Sequence, residues 1–280
     1  MENQQTPDNQ PGSPGGKAVK VLVLSGFGIN CENETAKAFE LAGALPRIMH
    51  ATELIASPKS LLEYDIFAIP GGFSFGDDLG SGKVLGNKLK AKMSPEIMEF
   101  VRSGKLIIGI CNGFQTLVKI GLLPATGGNY MAQEATVTYN DSGRFEDRWV
   151  YMKANPSSSC IFTKGISGRL YLPVRHGEGK FVPSSNALLE KMFVKGQVAL
   201  QYTDESGNLA GYPYNPNGSI QNIAGVCDES GRVFGLMPHP EAYLYRENHP
   251  RFARGGKLEP LGLVIFKNAV DYVKTEKLKQ

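Results

Sequence analysis

Between Val19 and Ile110, short β-branched runs alternate with segments of helical period, and this alternation limits the possible folds more than any other feature. VKVLVLS (19–25), LPRIMH (45–50), DIFAIPGG (65–72) and GKLIIGI (104–110) read as four strands. Strands that are apolar almost throughout, each followed by a polar or helical stretch, are what a parallel sheet covered on both faces requires. The segment CENETAKAFELAGA (31–44) places Ala36, Phe39, Leu41 and Ala42 at helical spacing. Asn30 is its expected N-cap, glutamates fill its first turn, and Gly43 ends it.

Beyond Pro124 the runs shorten to ATVTYND, WVYMKA, RLYLPVRH, VALQYT, IAGVC and RVFGLMPHP, separated by turn residues such as NDSG, NPNGS and DESG. This half should be more antiparallel, extending or flanking the sheet. PLGLVIFKNAVDYVKTEK closes the chain as a helix with Leu263, Phe266, Val270 and Val273 on one stripe. Residues 1–16, polar and rich in Pro, Gly and Gln, read as a disordered tail without a targeting pattern, so residues 17–280 are expected to form a single domain. No apolar run approaches the roughly 18 residues that cross a bilayer. The 30 Lys+Arg against 27 Asp+Glu leave a charge of only +3, which gives no reason to expect nucleic acid or a membrane surface as partner. Four cysteines without a CxxC pair fit a reducing compartment, and the cytoplasm is the expected location.

One cysteine stands apart. In GICNG, Gly109 to Gly113, the pattern Gly-x-Cys-x-Gly falls between the strand KLIIGI and the helical pattern GFQTLVKIG. At such a strand-to-helix elbow the central residue takes a strained backbone angle, and glycine on either side avoids collision with the neighbouring chain. Cys111 would then present its sulfur at a helix N-terminus, where free N–H groups and the helix dipole favour an anionic sulfur. That suits a nucleophile. Cys31, Cys160 and Cys227 read as small buried hydrophobes.

A cysteine nucleophile needs a base held by a third group. Of the four histidines, His239 lies in MPHPEAY directly after an apolar run, with Glu241 two residues on. Pro238 and Pro240 stiffen the segment. In an extended chain residues i and i+2 point the same way, so Glu241 could hold one ring nitrogen while the other faces the sulfur. In IPGGFSFGDD, Gly71 and Gly72 can offer backbone N–H groups to an oxyanion, with the N–H of Asn112 as second donor.

With GICNGFQ, PGG and PHPE in this order, the chain resembles the class I (triad) glutamine amidotransferases. GINCENE, PGGFSFGDDLGSGK, NDSGRFEDRW, RHGEGKF and NPNGS narrow the resemblance to the glutaminases of phosphoribosylformylglycinamidine synthases, enzymes of purine biosynthesis. The resemblance implies a flavodoxin-like α/β fold, a mostly parallel sheet with helices on both faces and an antiparallel extension. It implies Cys111 as nucleophile, His239 as base and then acid, Glu241 as its orienter, Gly72 and Asn112 as oxyanion hole, and Gln115 in the glutamine pocket. It implies hydrolysis of L-glutamine through a cysteine thioester, with ammonia passed to a separate synthetase subunit that carries ATP and Mg, and it leaves room for a third small subunit. No cofactor is implied in this chain. Ala242 stands where the family often has Arg, and LGSGK is nearer the fused form of the enzyme than the free-standing one. Arg144, His176 and Glu178 are expected toward the synthetase or the ammonia path, against a plain solvated turn at RHGEGK. A non-catalytic scaffold would be marked by a lost triad member, and none is lost. A cysteine hydrolase of the same fold usually has histidine directly after the cysteine, where Asn112 stands here.

Overall fold

The computed structural model describes residues 18–255 and 259–279. The tail expected over residues 1–16 lies outside the described residues. In chain order the elements are β1 (Lys20–Ser25), α1 (Glu32–Leu41), β2 (Leu45–His50), α2 (Ala51–Ala56), β3 (Ile66–Ile69), α3 (Lys83–Arg102), β4 (Leu106–Ile110), α4 (Asn112–Ile120), β5 (Ala135–Tyr139), β6 (Glu146–Ala154), β7 (Arg169–His176), β8 (Glu178–Pro183), α5 (Asn186–Val194), β9 (Val198–Thr203), β10 (Ile223–Cys227), β11 (Val233–Leu236) and α6 (Leu263–Leu278).

One sheet runs in the order β2-β1-β3-β4-β11-β10-β9-β6-β7. Its first five strands are parallel, since β11 lies parallel to β4 although it arrives from the antiparallel half of the chain. From β11 onward every neighbouring pair is antiparallel. β5 and β8 form a separate antiparallel ribbon. The strands β3 and β4 are buried at every residue, as expected of a sheet covered on both faces. The connections β1–α1–β2 and β3–α3–β4 leave in opposite directions along the sheet, and right-handed crossovers therefore put α1 and α3 on opposite faces. Helix α6 packs with α1, and α4 with α3. The strand order reverses between β1 and β3, so the crevice where ligands collect lies at the carboxyl ends of β1, β3 and β4.

Local details depart from the sequence expectations in informative ways. Helix α1 starts at Glu32 with Cys31 at its N-cap position and no side-chain cap. Asn30 does not cap it, because the N–H groups of Asn30 and Cys31 both donate to the Gly71 carbonyl, at 3.1 and 3.3 Å, and tie this loop to the end of β3. Thr35, Ala38 and Phe39 are buried, whereas Leu41 is exposed. Gly43 ends the helix as expected, at φ +85° with its N–H on the Glu40 carbonyl. In α6, Phe266, Val270 and Val273 are buried together with Ile265 and Ala269. The RHGEGK stretch is no solvated turn: His176 closes β7, Glu178 opens β8, and both are buried.

Candidate active site

Cys111 sits between β4 and α4 with φ 50° and ψ −105°, a strained conformation for a residue with a Cβ. The flanking glycines are required by space. A Cβ on Gly109 would lie 2.5 Å from the Gly113 carbonyl oxygen, and one on Gly113 would lie 1.8 Å from that of Ile69 on β3. The elbow therefore works only because α4 presses its first turn against the neighbouring strand. The Cys111 N–H donates to the Leu236 carbonyl at 2.8 Å, and Sγ points at the Arg175 carbonyl, 3.5 Å away.

His239 follows β11, and its N–H is held by the Pro173 carbonyl of β7 at 2.8 Å. Pro240–Ala242 is a single 3-10 turn, not the extended segment expected from the sequence. Pro240 at the start of this turn has the fixed φ a helical turn needs and lacks the N–H that would go unused there. The turn, and not strand alternation, brings Glu241 Oε1 to within 2.6 Å of His239 Nδ1. Both side chains are buried, and His239 Nε2 and Glu241 Oε2 have no hydrogen-bond partner among the described residues. Burial opposes a charged imidazole, but Glu241 and the sulfurs of Cys111 and Cys31 around the ring outweigh it and hold His239 well above the usual histidine range. A raised proton affinity is what a base needs to take a proton from a thiol.

Gly72 adopts φ +147°, and a Cβ there would lie 2.5 Å from the Gly28 carbonyl oxygen. Ile29 and Gly72 form an isolated antiparallel bridge whose ladder bonds are made by Asn30 to Gly71 and Phe73 to Gly28. The N–H of Gly72 is thereby turned out of the bridge. That of Asn112, in the first turn of α4, has no intrahelical acceptor. Asn112 and Gln115 are locked by their side chains. Asn112 accepts from the Ser74 N–H at 3.2 Å and donates to Asp77 Oδ1 and Gln115 Oε1, both at 3.0 Å, while Gln115 Nε2 donates to the Glu178 carbonyl. These bonds join the loop after β3 to the start of β8 across the elbow.

The structure thus brings together Cys111, His239, Glu241, Gly72, Asn112 and Gln115 at the carboxyl ends of β3, β4 and β11. Sequence reasoning missed Cys31. It is not a buried hydrophobe but a partly exposed thiol against His239, next to the Gly71 backbone. Burial pushes its thiol up, with the His239 contact pulling the other way. Cys160 and Cys227 are buried as expected.

The residues 18–273 match the family model described as CobB/CobQ-like glutamine amidotransferase domain. The chain belongs to this family. Among curated relatives, the amidotransferase is 50% identical to phosphoribosylformylglycinamidine synthase subunit PurQ of Dehalococcoides mccartyi over 91% of this chain and 98% of that one. It is 46% identical to the subunit of the same name from Methanococcus maripaludis, over 90% of this chain and 97% of that one. Among solved structures, it is similar to a chain of the PurLQS structure from Thermotoga maritima, with a TM-score of 0.68 and 28% identity, covering 92% of this chain and all of that one.

Beside the elbow, His176 is fully enclosed. Its Nδ1 meets Asn140 Oδ1 at 3.1 Å and its Nε2 faces Asn217 Nδ2 at 3.5 Å, and Asn217 in turn donates to the Tyr202 hydroxyl at 3.2 Å. Burial, and then repulsion from His239, push the His176 imidazole down to about 3. A histidine of ordinary pKa in the unfolded chain takes up a proton near 6.5, which the folded chain refuses until about 3, so acidification through this window favours unfolding. The stability of the wild-type chain should fall between these two pH values more steeply than that of a His176→Gln variant, measured by denaturant unfolding at each pH. Equal slopes would show that His176 is not the group responsible.

Proposed function

We propose that this chain is the glutaminase subunit of phosphoribosylformylglycinamidine synthase. It hydrolyses L-glutamine and delivers ammonia to a separate ATP- and Mg-dependent synthetase subunit, which converts formylglycinamide ribonucleotide to formylglycinamidine ribonucleotide in the cytoplasm. The observation that carries the reading is the buried His239–Glu241 pair, 2.6 Å apart, set against the elbow thiol of Cys111 in a chain whose curated relatives bear the name of this subunit. The PurLQS structure supports a complex with L-type and S-type partners.

In this reading His239 Nε2, left without another partner among the described residues, takes the Cys111 proton as the sulfur attacks the side-chain carbonyl carbon of glutamine. The N–H groups of Gly72 and Asn112 receive the oxyanion. His239 returns its proton to the departing nitrogen, and ammonia leaves. A water molecule, deprotonated by the same imidazole, then hydrolyses the glutamyl thioester to glutamate and free thiol. Glu241 keeps Nδ1 protonated and the ring oriented throughout. Gln115 shapes the floor of the glutamine pocket.

Reconstitution tests this. With an L-type synthetase and an S-type subunit, the chain should support glutamine-dependent formation of formylglycinamidine ribonucleotide. His239→Ala should slow thioester formation by about two or more orders of magnitude in rapid-quench measurements. Acylation at a normal rate in that variant would move the base elsewhere.

A further inference from the structure

Cys31 has no part in the reaction described above, yet its surroundings are those of a ligand. Its Sγ, a ring nitrogen of His239 and a carboxylate oxygen of Glu241 all lie within 4.8 Å of one another. Glu241 Oε2 is buried without a partner among the described residues, and a buried carboxylate oxygen left unsatisfied favours a ligand that pairs it. Cys31 itself is partly exposed, which gives a cation a way in. Asn30 Oδ1, 3.3 Å from Cys31 Sγ, adds an oxygen at the rim.

Thiolate, imidazole and carboxylate together are a donor set for Zn2+ and not for Mg2+ or Ca2+, which take oxygen ligands. Zinc–ligand bonds of about 2.0–2.3 Å set tetrahedral ligand atoms roughly 3.3–3.8 Å apart, so the three side chains would have to close in by about 1 Å. The carboxylate can meet the metal through Oε2.

We propose that Cys31, His239 and Glu241 form a Zn2+ site and that its occupation shuts off the glutaminase. Glu241 lies on Nδ1, so the shared metal takes Nδ1 in place of that hydrogen bond. Zn2+ binding displaces the Cys31 thiol proton to solvent, with no electron transfer, and leaves the ring proton on Nε2, the nitrogen that must accept the Cys111 proton. The shut-off rests on His239 being the base. The binding does not.

The test uses the full chain carrying Cys111→Ala, which removes the neighbouring thiol, with Cd2+ as the spectroscopic probe. This variant should show a thiolate-to-Cd2+ charge-transfer band saturating at one ion per chain. The band should vanish in Cys111→Ala/Cys31→Ser, which keeps the buried Cys160 and Cys227 and whose fold is checked by circular dichroism. A band that survives the loss of Cys31, or one absent from Cys111→Ala, overturns the site. In the reconstituted wild-type complex, Zn2+ should inhibit glutamine hydrolysis and a chelator should restore it. Cys31→Ser should raise the Zn2+ concentration for half-inhibition by about tenfold or more. Equal sensitivity of the two would overturn the shut-off. A full Cd2+ band in a chain whose hydrolysis Zn2+ leaves untouched would overturn the shut-off and also the assignment of His239 as base.

Discussion

Cys111→Ala should reduce glutamine hydrolysis by roughly a millionfold, to the background rate, as loss of a catalytic nucleophile does in other enzymes. The same variant, assembled with its partners and given ammonium salts, should still make formylglycinamidine ribonucleotide at an undiminished rate. The two halves of this result follow from one division of labour. The thiol is needed only to release ammonia, and the synthetase needs only ammonia. The substitution keeps the elbow geometry, since alanine has the same Cβ as cysteine and makes no new contact. Loss of both activities would mean that the substitution disturbs docking, and residual glutaminase activity would remove Cys111 from its role.

Gly113→Ala sets two physical effects against each other. Gly113 lies in the first turn of α4, and helix propensity alone would favour Ala over Gly by about 1 kcal/mol. The added Cβ, however, would lie 1.8 Å from the Ile69 carbonyl oxygen and 2.7 Å from its carbon, both backbone atoms that cannot swing aside. Relief requires β3 and α4 to separate at the point where the elbow is built. The clash should win, with a loss of about 3 kcal/mol or more in denaturant unfolding, at the upper end of overpacking effects. Glutamine hydrolysis should fall with it, because Gly72 and Cys111 would move apart. A variant of equal or greater stability would show that α4 is not pressed against β3 as the structure describes.

The elbow was legible in the sequence because its requirements are local. Two glycines spaced around a cysteine, after an apolar β-branched run and before a helical period, leave few other conformations. The parallel half was legible for the same reason, since β1, β3 and β4 are short runs buried on both faces. The partnership of His239 with Glu241 was also legible, but for a mistaken geometric reason. The sequence pattern suggested an extended segment with side chains alternating, whereas Pro240 starts a 3-10 turn and the turn makes the 2.6 Å contact.

What sequence periodicity missed depends on contacts distant in the chain. Cys31 reaches the site because its loop is bonded to Gly71, forty residues away, and no local pattern encodes that pairing. β8 was not expected as a strand because HGEGKF carries two glycines. Its register comes from β5, and Gly179 is there because a Cβ would lie 2.4 Å from the His176 ring. Arg144 is exposed, while His176 and Glu178 are turned into the protein against Asn140 and the Ser81 N–H. Within RHGEGK itself Arg175 is exposed, so the stretch weighed as a solvated turn is divided between surface and interior.

The most direct measurement is active-site labelling with a diazo-oxo-norleucine, a glutamine analogue that alkylates the attacking nucleophile, followed by peptide mass spectrometry with and without the synthetase. Modification is expected at Cys111 alone, faster in the presence of the partner, with Cys31, Cys160 and Cys227 unmodified. Modification of Cys31 in place of Cys111, or of neither under both conditions, would contradict this expectation.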